Sequence, residues 1–279
     1  LSQARNPVWK DNATFFARNV ETSPRSARAR YHWGMEHYQA GRTPQAVAEF
    51  DHAVSIAPDH ANALYMSGLV KLDLEQWDAA GDVFQRALEA ARRLGLPDEY
   101  RQEVEVRLLL AQGGGLLAMG QEERARALFA EASSMGPAED LARVGLARAH
   151  LARGDTAALR RALARVGPAG EARTLRADLM RLAGKADQAR GQYRQAVDEL
   201  MARRRWAAAG RAVQRLLAYD SGDRGALLRQ ARITAFKGNL AEAVSQVEAV
   251  VLGQPRWALP HRYLGEWLAV SGRKEEARR

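Results

Sequence analysis

A short string of glycine, small and aromatic residues returns along this chain in a fixed frame, and it constrains the fold more than any other feature. In GRTPQAVAEFDHAVSIAP, Gly41 is followed five residues on by Ala46, then by Phe50, Ala53 and Pro58. The frame returns at Gly120, Ala125, Phe129, Ala132 and Pro137, and again at Gly184, Ala189, Tyr193 and Ala196. Gly238, Ala243 and Pro255 keep it, with Val247 and Val250 in the aromatic and second small positions. In a further copy Glu75 stands in for the glycine while Ala80, Phe84 and Ala87 hold the frame, and Gly272 with Ala277 begins a last one. A glycine seven residues upstream completes several copies: Gly34, Gly68, Gly113 and Gly265.

Each position has a mechanical reason. The downstream glycines fall where a first helix ends, and glycine enters the left-handed region there without a Cβ clash. Thr43 is expected to cap the second helix with Pro44 as its first residue, and Asn239 to cap the helix after Gly238. Gly34, Ala46 and Ala53 let two helices approach closely. Phe50, Phe84, Phe129 and Tyr193 are expected to fill the space between neighbouring units, and Pro58, Pro137 and Pro255 to stop the second helix. A helix pair of this kind cannot bury its apolar face alone and must stack on its neighbours.

The period of roughly 34 residues and these positions resemble the tetratricopeptide repeat. The frames run 27–60, 61–94, 106–139, 170–203, 224–257 and a truncated 258–279. The resemblance implies an all-α protein, an α-solenoid wound as a right-handed superhelix, irregular in its centre. Residues 92–105 insert a linker, so the third unit is expected to start with a longer helix. Residues 138–169 form a degenerate unit with Gly154-Asp155 at the turn and Leu159 where alanine is usual, and residues 204–223 supply a further helix. The expected organisation is a lone helix, cap or membrane junction (1–26), two regular units (27–94), a linker with the third unit (95–139), a basic degenerate stretch (140–223) and C-terminal units (224–279).

Composition agrees. Aromatics make up only 7% of the chain, 37 of the 42 basic residues are arginine, and Val/Ile runs are lacking, all of which favours helix over sheet. Zero cysteines exclude disulfides, thiolate metal sites and cysteine nucleophiles. The net charge of +9 is uneven: residues 1–140 hold 15 Lys/Arg against 20 Asp/Glu, and residues 141–279 hold 27 against 13. A basic half can meet an acidic protein or an anionic lipid surface; nucleic acid is the less favoured partner.

The opening stretch NPVWKDNATFFARNVETSPRSARAR reads as a lone amphipathic second helix over 7–24, a stop at Ser23-Pro24 and a fresh start at Ser26. Its partner is expected either to be absent by design or to lie upstream of Leu1. Arg5-Asn6, Trp9 with Asp11, Phe15-Phe16, Pro24, Ser26, Arg28 and Ala29 resemble the junction in transmembrane O-mannosyltransferase-like proteins that carry C-terminal repeats. That resemblance implies repeats on the extracytoplasmic side of a membrane, with catalytic residues in an upstream membrane portion and none in this chain. The alternative is a free-standing scaffold of an envelope or secretion assembly.

The first helix of each repeat is expected to line a concave groove. This selects Arg28, Tyr31, Met35 and Tyr38, then Asn62, Tyr65 and Leu69, then Arg107 and Gly114, a mix of aromatic, Met and apolar groups that suits a protein or peptide. The competing account is that Tyr31, Tyr65 and Leu69 simply pack between helices. Gly113 is assigned to close packing and Gly114 to a groove pocket; the Gly113–Gly115 run lacks the strand that a phosphate loop needs. In chaperone-binding members of the repeat family that this chain resembles, a Lys and an Asn hold a terminal carboxylate at the positions of Tyr31 and Met35; neither type is present here, which argues against that kind of clamp. No ligand pair occurs among the six histidines and no nucleophile or paired-acid motif is present, so neither a catalytic site nor a cofactor is expected. Arg203, Arg204 and Arg205 beside Trp206, followed by Arg211 and Arg215, form a candidate basic patch; the competing account is a solvated helix start with Trp206 packed in the repeat seam.

Overall fold

The computed structural model describes residues 12–136, 139–167, 170–273 and 276. Fifteen α-helices and no strand occur among them. Contacts divide the chain into two units at Arg165/Val166. The first holds α1 (Asn12–Thr22), α2 (Ala27–Gln39), α3 (Thr43–Ile56), α4 (Ala61–Asp73), α5 (Trp77–Arg93), α6 (Asp98–Ala118), α7 (Glu122–Ser134), α8 (Glu139–Ala152) and α9 (Thr156–Ala164). The second holds α10 (Gly170–Leu182), α11 (Ala186–Ala202), α12 (Trp206–Leu217), α13 (Arg224–Phe236), α14 (Leu240–Gly253) and α15 (Ala258–Val270). Within each unit, helices adjacent in sequence pack on one another. None is long and apolar enough to cross a membrane.

One turn recurs at the joints. At Gly41 (φ +76°) the N–H bonds back to Tyr38 O at 3.0 Å and the Arg42 N–H to His37 O at 2.9 Å. This pair of hydrogen bonds satisfies two carbonyls at the helix end and fixes the reversal. Glu75, the substitute foreseen for glycine, adopts the same conformation at φ +59°. So does Arg204, also at +59°, with its N–H on Met201 O and the Arg205 N–H on Leu200 O. The Arg203–Arg205 run is therefore the same reversal, closing α11 onto α12.

The aromatic of each repeat sits on the glycine of its own first helix. A Cβ on Gly34, Gly68 or Gly113 would stand 2.7 Å from Cε1 of Phe50, Phe84 or Phe129, closer than any real contact. All three rings are buried. This adds to the assignment of these rings to the space between units: each also fills a slot inside its own unit, while Phe50 shares a buried cluster with Val70 of the next unit and Phe84 with Val104, Leu108 and Ala111. Phe129 also meets a glycine of the next unit, since a Cβ on Gly145 would stand 2.5 Å from it. Where the ring changes, so does the partner: buried Ala177 stands sixteen residues before Tyr193, and buried Ala231 sixteen before Val247.

Three further expectations are settled by local geometry. Thr43 is not a cap: Arg42 occupies that position without a side-chain bond, and Thr43 is buried inside the first turn beside Pro44. Asn239 holds the cap position, but its amide donates to Glu242 and not to the backbone. The longer helix of the third unit is present, as α6 runs 21 residues from Asp98. Ser26 opens α2, accepting the Ala29 N–H at 3.2 Å, and α1 lies against α2 through Phe16, stacked on His32 at 5.1 Å. Residues 7–11 of the lone-helix assignment, Arg5-Asn6, Trp9 and Asp11 of the junction, Pro137 and Ala277 lie outside the described residues.

Candidate functional site

The first helices α2, α4 and α6 bring three tyrosines to one face. Tyr31 leans on Phe50 (centroids 6.0 Å apart) and on His60 (5.3 Å), and Tyr65 repeats the relation with Phe84 at 6.1 Å. Tyr100, from the early turns of α6, meets Tyr65 at 5.9 Å and donates to Ala61 O at 3.0 Å. All three are half-buried. The rings pack on the interior and on one another and keep part of their surface exposed.

A polar group adjoins them. Tyr65 Oη donates to Glu103 Oε1 at 2.7 Å, and Arg107 Nη2 donates to the same oxygen at 3.2 Å. Arg107 Nε is buried with no hydrogen-bond partner. The Tyr65 bond, joined by Arg107, holds the Glu103 carboxyl below its usual range despite partial burial. Burial, with that bond second, pushes Tyr65 up to about 12; burial and then the neighbouring Tyr65 and Tyr31 push Tyr100 up to about 12. Burial alone raises Tyr31.

The other groove candidates divide. Met35 and Tyr38 are half-buried against the Ala46–Phe50–Val70 core, and Leu69 against the Leu64–Phe84 core. Arg28 and Asn62 are exposed. Gly114 is no pocket: it is buried, and a Cβ there would stand 2.5 Å from Trp77 Cε3. The indole occupies the space assigned to a ligand. Tyr100 and Glu103 were missed because residues 92–105 read as a linker, although Tyr100, Val104 and Leu108 already have helical spacing.

The basic patch is largely satisfied from within. Glu171 accepts from Arg205 at 3.0 Å and from Arg211 at 3.1 Å, and Arg215 Nε lies 3.1 Å from Asp178 Oδ1. Asp178 is 1% exposed and also accepts from Tyr193 Oη at 2.7 Å. Burial, then Arg215, pulls the Arg211 guanidinium down to about 10. Arg203 is exposed and Arg204 sits in the turn. Trp206 is buried, stacked on Phe236 at 3.9 Å, so the seam account of this residue holds.

This fold is an all-α helical-repeat solenoid. Residues 31–93 match the family model of the tetratricopeptide repeat. The Rap conjugation gene regulator of the plasmid pLS20, solved in complex with the Phr* peptide, superposes with a TM-score of 0.57 at 11% identity, covering 99% of this chain and 80% of its own. A tetratricopeptide repeat protein from Parabacteroides merdae ATCC 43184 gives 0.50 at 15% identity, over 66% of this chain and 69% of its own. At these identities the likeness establishes the fold. No curated protein sequence matches the chain.

Proposed function

We propose that the chain is a binding scaffold whose first unit holds a protein or peptide along the face of α2, α4 and α6. One observation carries this reading: Tyr31, Tyr65 and Tyr100 pack on the interior and on one another, stay partly exposed, and are bordered by a bonded carboxylate and guanidinium. Rigid aromatic surface with a polar border suits a partner side chain at low entropic cost. Met35 and Leu69 extend the apolar part, and Arg28 and Asn62 edge it. The peptide held by the Rap regulator, a protein of like fold, is consistent with such a use. The chain has no catalytic role in this reading. Peptides selected on the intact protein from a random display library should lose most of their affinity for a Tyr31→Ala/Tyr65→Ala variant that still folds. Undiminished binding to that variant would remove the tyrosine face from consideration.

In its larger setting, we place the chain as the extracytoplasmic C-terminal part of a membrane glycosyltransferase-like protein, on the strength of the junction residues Phe15-Phe16, Pro24, Ser26, Arg28 and Ala29. Fractionation of native cells tests this. A species much larger than 30.8 kDa in the membrane fraction supports it, and a soluble species of this mass favours a free-standing scaffold. The internal ion pairs of Arg205, Arg211 and Arg215 weigh against the basic patch as a lipid or nucleic-acid surface.

A further inference from the structure

A second surface lies in the same unit, away from the tyrosines. Helices α7, α8 and α9 enclose an open cleft of about 710 Å3. Arg143 enters it from α8, while Arg161 and Arg165 come from α9 and the residue that caps it. Its apolar part is Leu146, Ala158 and Ala162. Arg143 is engaged, donating to Arg165 O at 3.4 Å and lying 3.9 Å from Asp140. Arg161 and Arg165 differ: both are exposed, and neither guanidinium is held in a hydrogen bond or ion pair with any described residue. Asp155 and His150 feel Arg161 only at longer range. Other exposed arginines, Arg86 and Arg92 among them, also lack a side-chain partner among the described residues; what sets Arg161 and Arg165 apart is that they share one cleft with an apolar floor.

We propose that this cleft docks an acidic peptide segment of a protein partner. Two or more carboxylates of the segment meet Arg161 and Arg165, with Arg143 between them and the floor, and an apolar side chain lies on Leu146, Ala158 and Ala162. Charge sets the sign of the ligand, since three guanidinium groups line the cleft, and a floor of leucine and alanine selects a peptide over a bare anion. This site is independent of the tyrosine face.

The test uses the full chain and a fluorescein-labelled peptide of alternating Glu and Leu, followed by anisotropy, with a Lys-for-Glu peptide as the opposite charge. The acidic peptide should bind and the basic one should not. Arg161→Glu/Arg165→Glu should weaken binding by at least about tenfold, because two exposed attractions become repulsions. Arg86→Glu/Arg92→Glu changes the net charge equally at exposed sites outside the cleft and should shift affinity by less than about twofold. Since all four residues are exposed, unchanged thermal melts will show that the variants fold. Equal weakening by both double variants would overturn the site, as would failure of the acidic peptide to bind. Full displacement of the peptide by inorganic phosphate at matched ionic strength would mean a bare anion site and would overturn the peptide assignment.

Discussion

The ammonium of Lys71 is buried, and the Asp51 carboxylate of the preceding repeat holds it with two contacts of 2.6 and 2.8 Å. Ser67 Oγ completes the group, accepting from Lys71 at 2.6 Å and donating to Asp51 at 2.6 Å. The two partners are not equivalent: the Asp51 side chain is 48% exposed and that of Lys71 only 11%. Asp51→Ala leaves a charge stranded in the seam between α3 and α4 and should cost about 2 kcal/mol. Lys71→Met leaves a carboxylate that water can reach and should cost less than about 1 kcal/mol. Urea midpoints for the two variants check the order, and equal losses would mean that water reaches Lys71.

The slots beneath the aromatic rings predict coupling. Gly68→Ala places a methyl against Phe84, inside a contact of 2.7 Å, and should destabilise by about 1–3 kcal/mol. Phe84→Leu alone should cost about 1–2 kcal/mol through the lost ring volume. Together they should cost less than their sum, since leucine vacates the space the methyl needs. Simple additivity in a double-mutant cycle would show that the ring moves aside freely.

Arg204 holds an L residue in the left-handed region at φ +59°. Arg204→Gly should stabilise by about 0.5–1 kcal/mol by relieving that strain. Arg204→Ala keeps the Cβ and should give no gain. Thermal melts of the two variants separate backbone strain from any contribution of the arginine side chain, because both remove it.

Acid should weaken the tyrosine face. The Glu103 carboxyl is held below its ordinary value of 4.5 in the folded chain, first by the Tyr65 hydroxyl. A depressed folded value favours the folded state above the unfolded one's pKa, and that contribution disappears as the pH falls through the lower, folded value. Tyr65→Phe removes the bond and should flatten the fall of stability below pH 4.5 relative to the parent. Tyr65 shifts in the opposite sense: raised from 10.0 to about 12 first by burial and then by this bond, it favours the folded state below pH 10 and loses that effect as the pH climbs through 12. Denaturation midpoints across both limbs read the two signs, and parallel curves for parent and variant would dissolve the pair.

The glycines at the turns could be read directly because only a left-handed residue closes that reversal, and Glu75 could be placed by the frame around it. Arg204 gave no such sign: arginine carries no preference for positive φ, and the run around it looked like charge on a helix. Thr43 misled because a hydroxyl before proline suits a cap, whereas burial of the residue itself decided its place. Gly114 was taken for open space because the sequence could not show the Trp77 indole arriving from another helix. The ion pairs that quiet the basic patch were equally hidden. Glu171 lies 34 residues from Arg205 and 40 from Arg211, and only the stacking of α10, α11 and α12 brings them together.

Phe129 has a glycine on either side, Gly113 in α6 and Gly145 in α8. In a stack of repeats, each member ordinarily opens at an expense set by itself and one interface. A ring shared by two members withdraws that independence: α8 cannot swing away without baring the face of Phe129 that α6 does not cover. The two repeats on either side of this ring are therefore expected to open together within the first unit. Helix α1, joined to α2 through the stacked Phe16 and His32, keeps the freedom to fray alone.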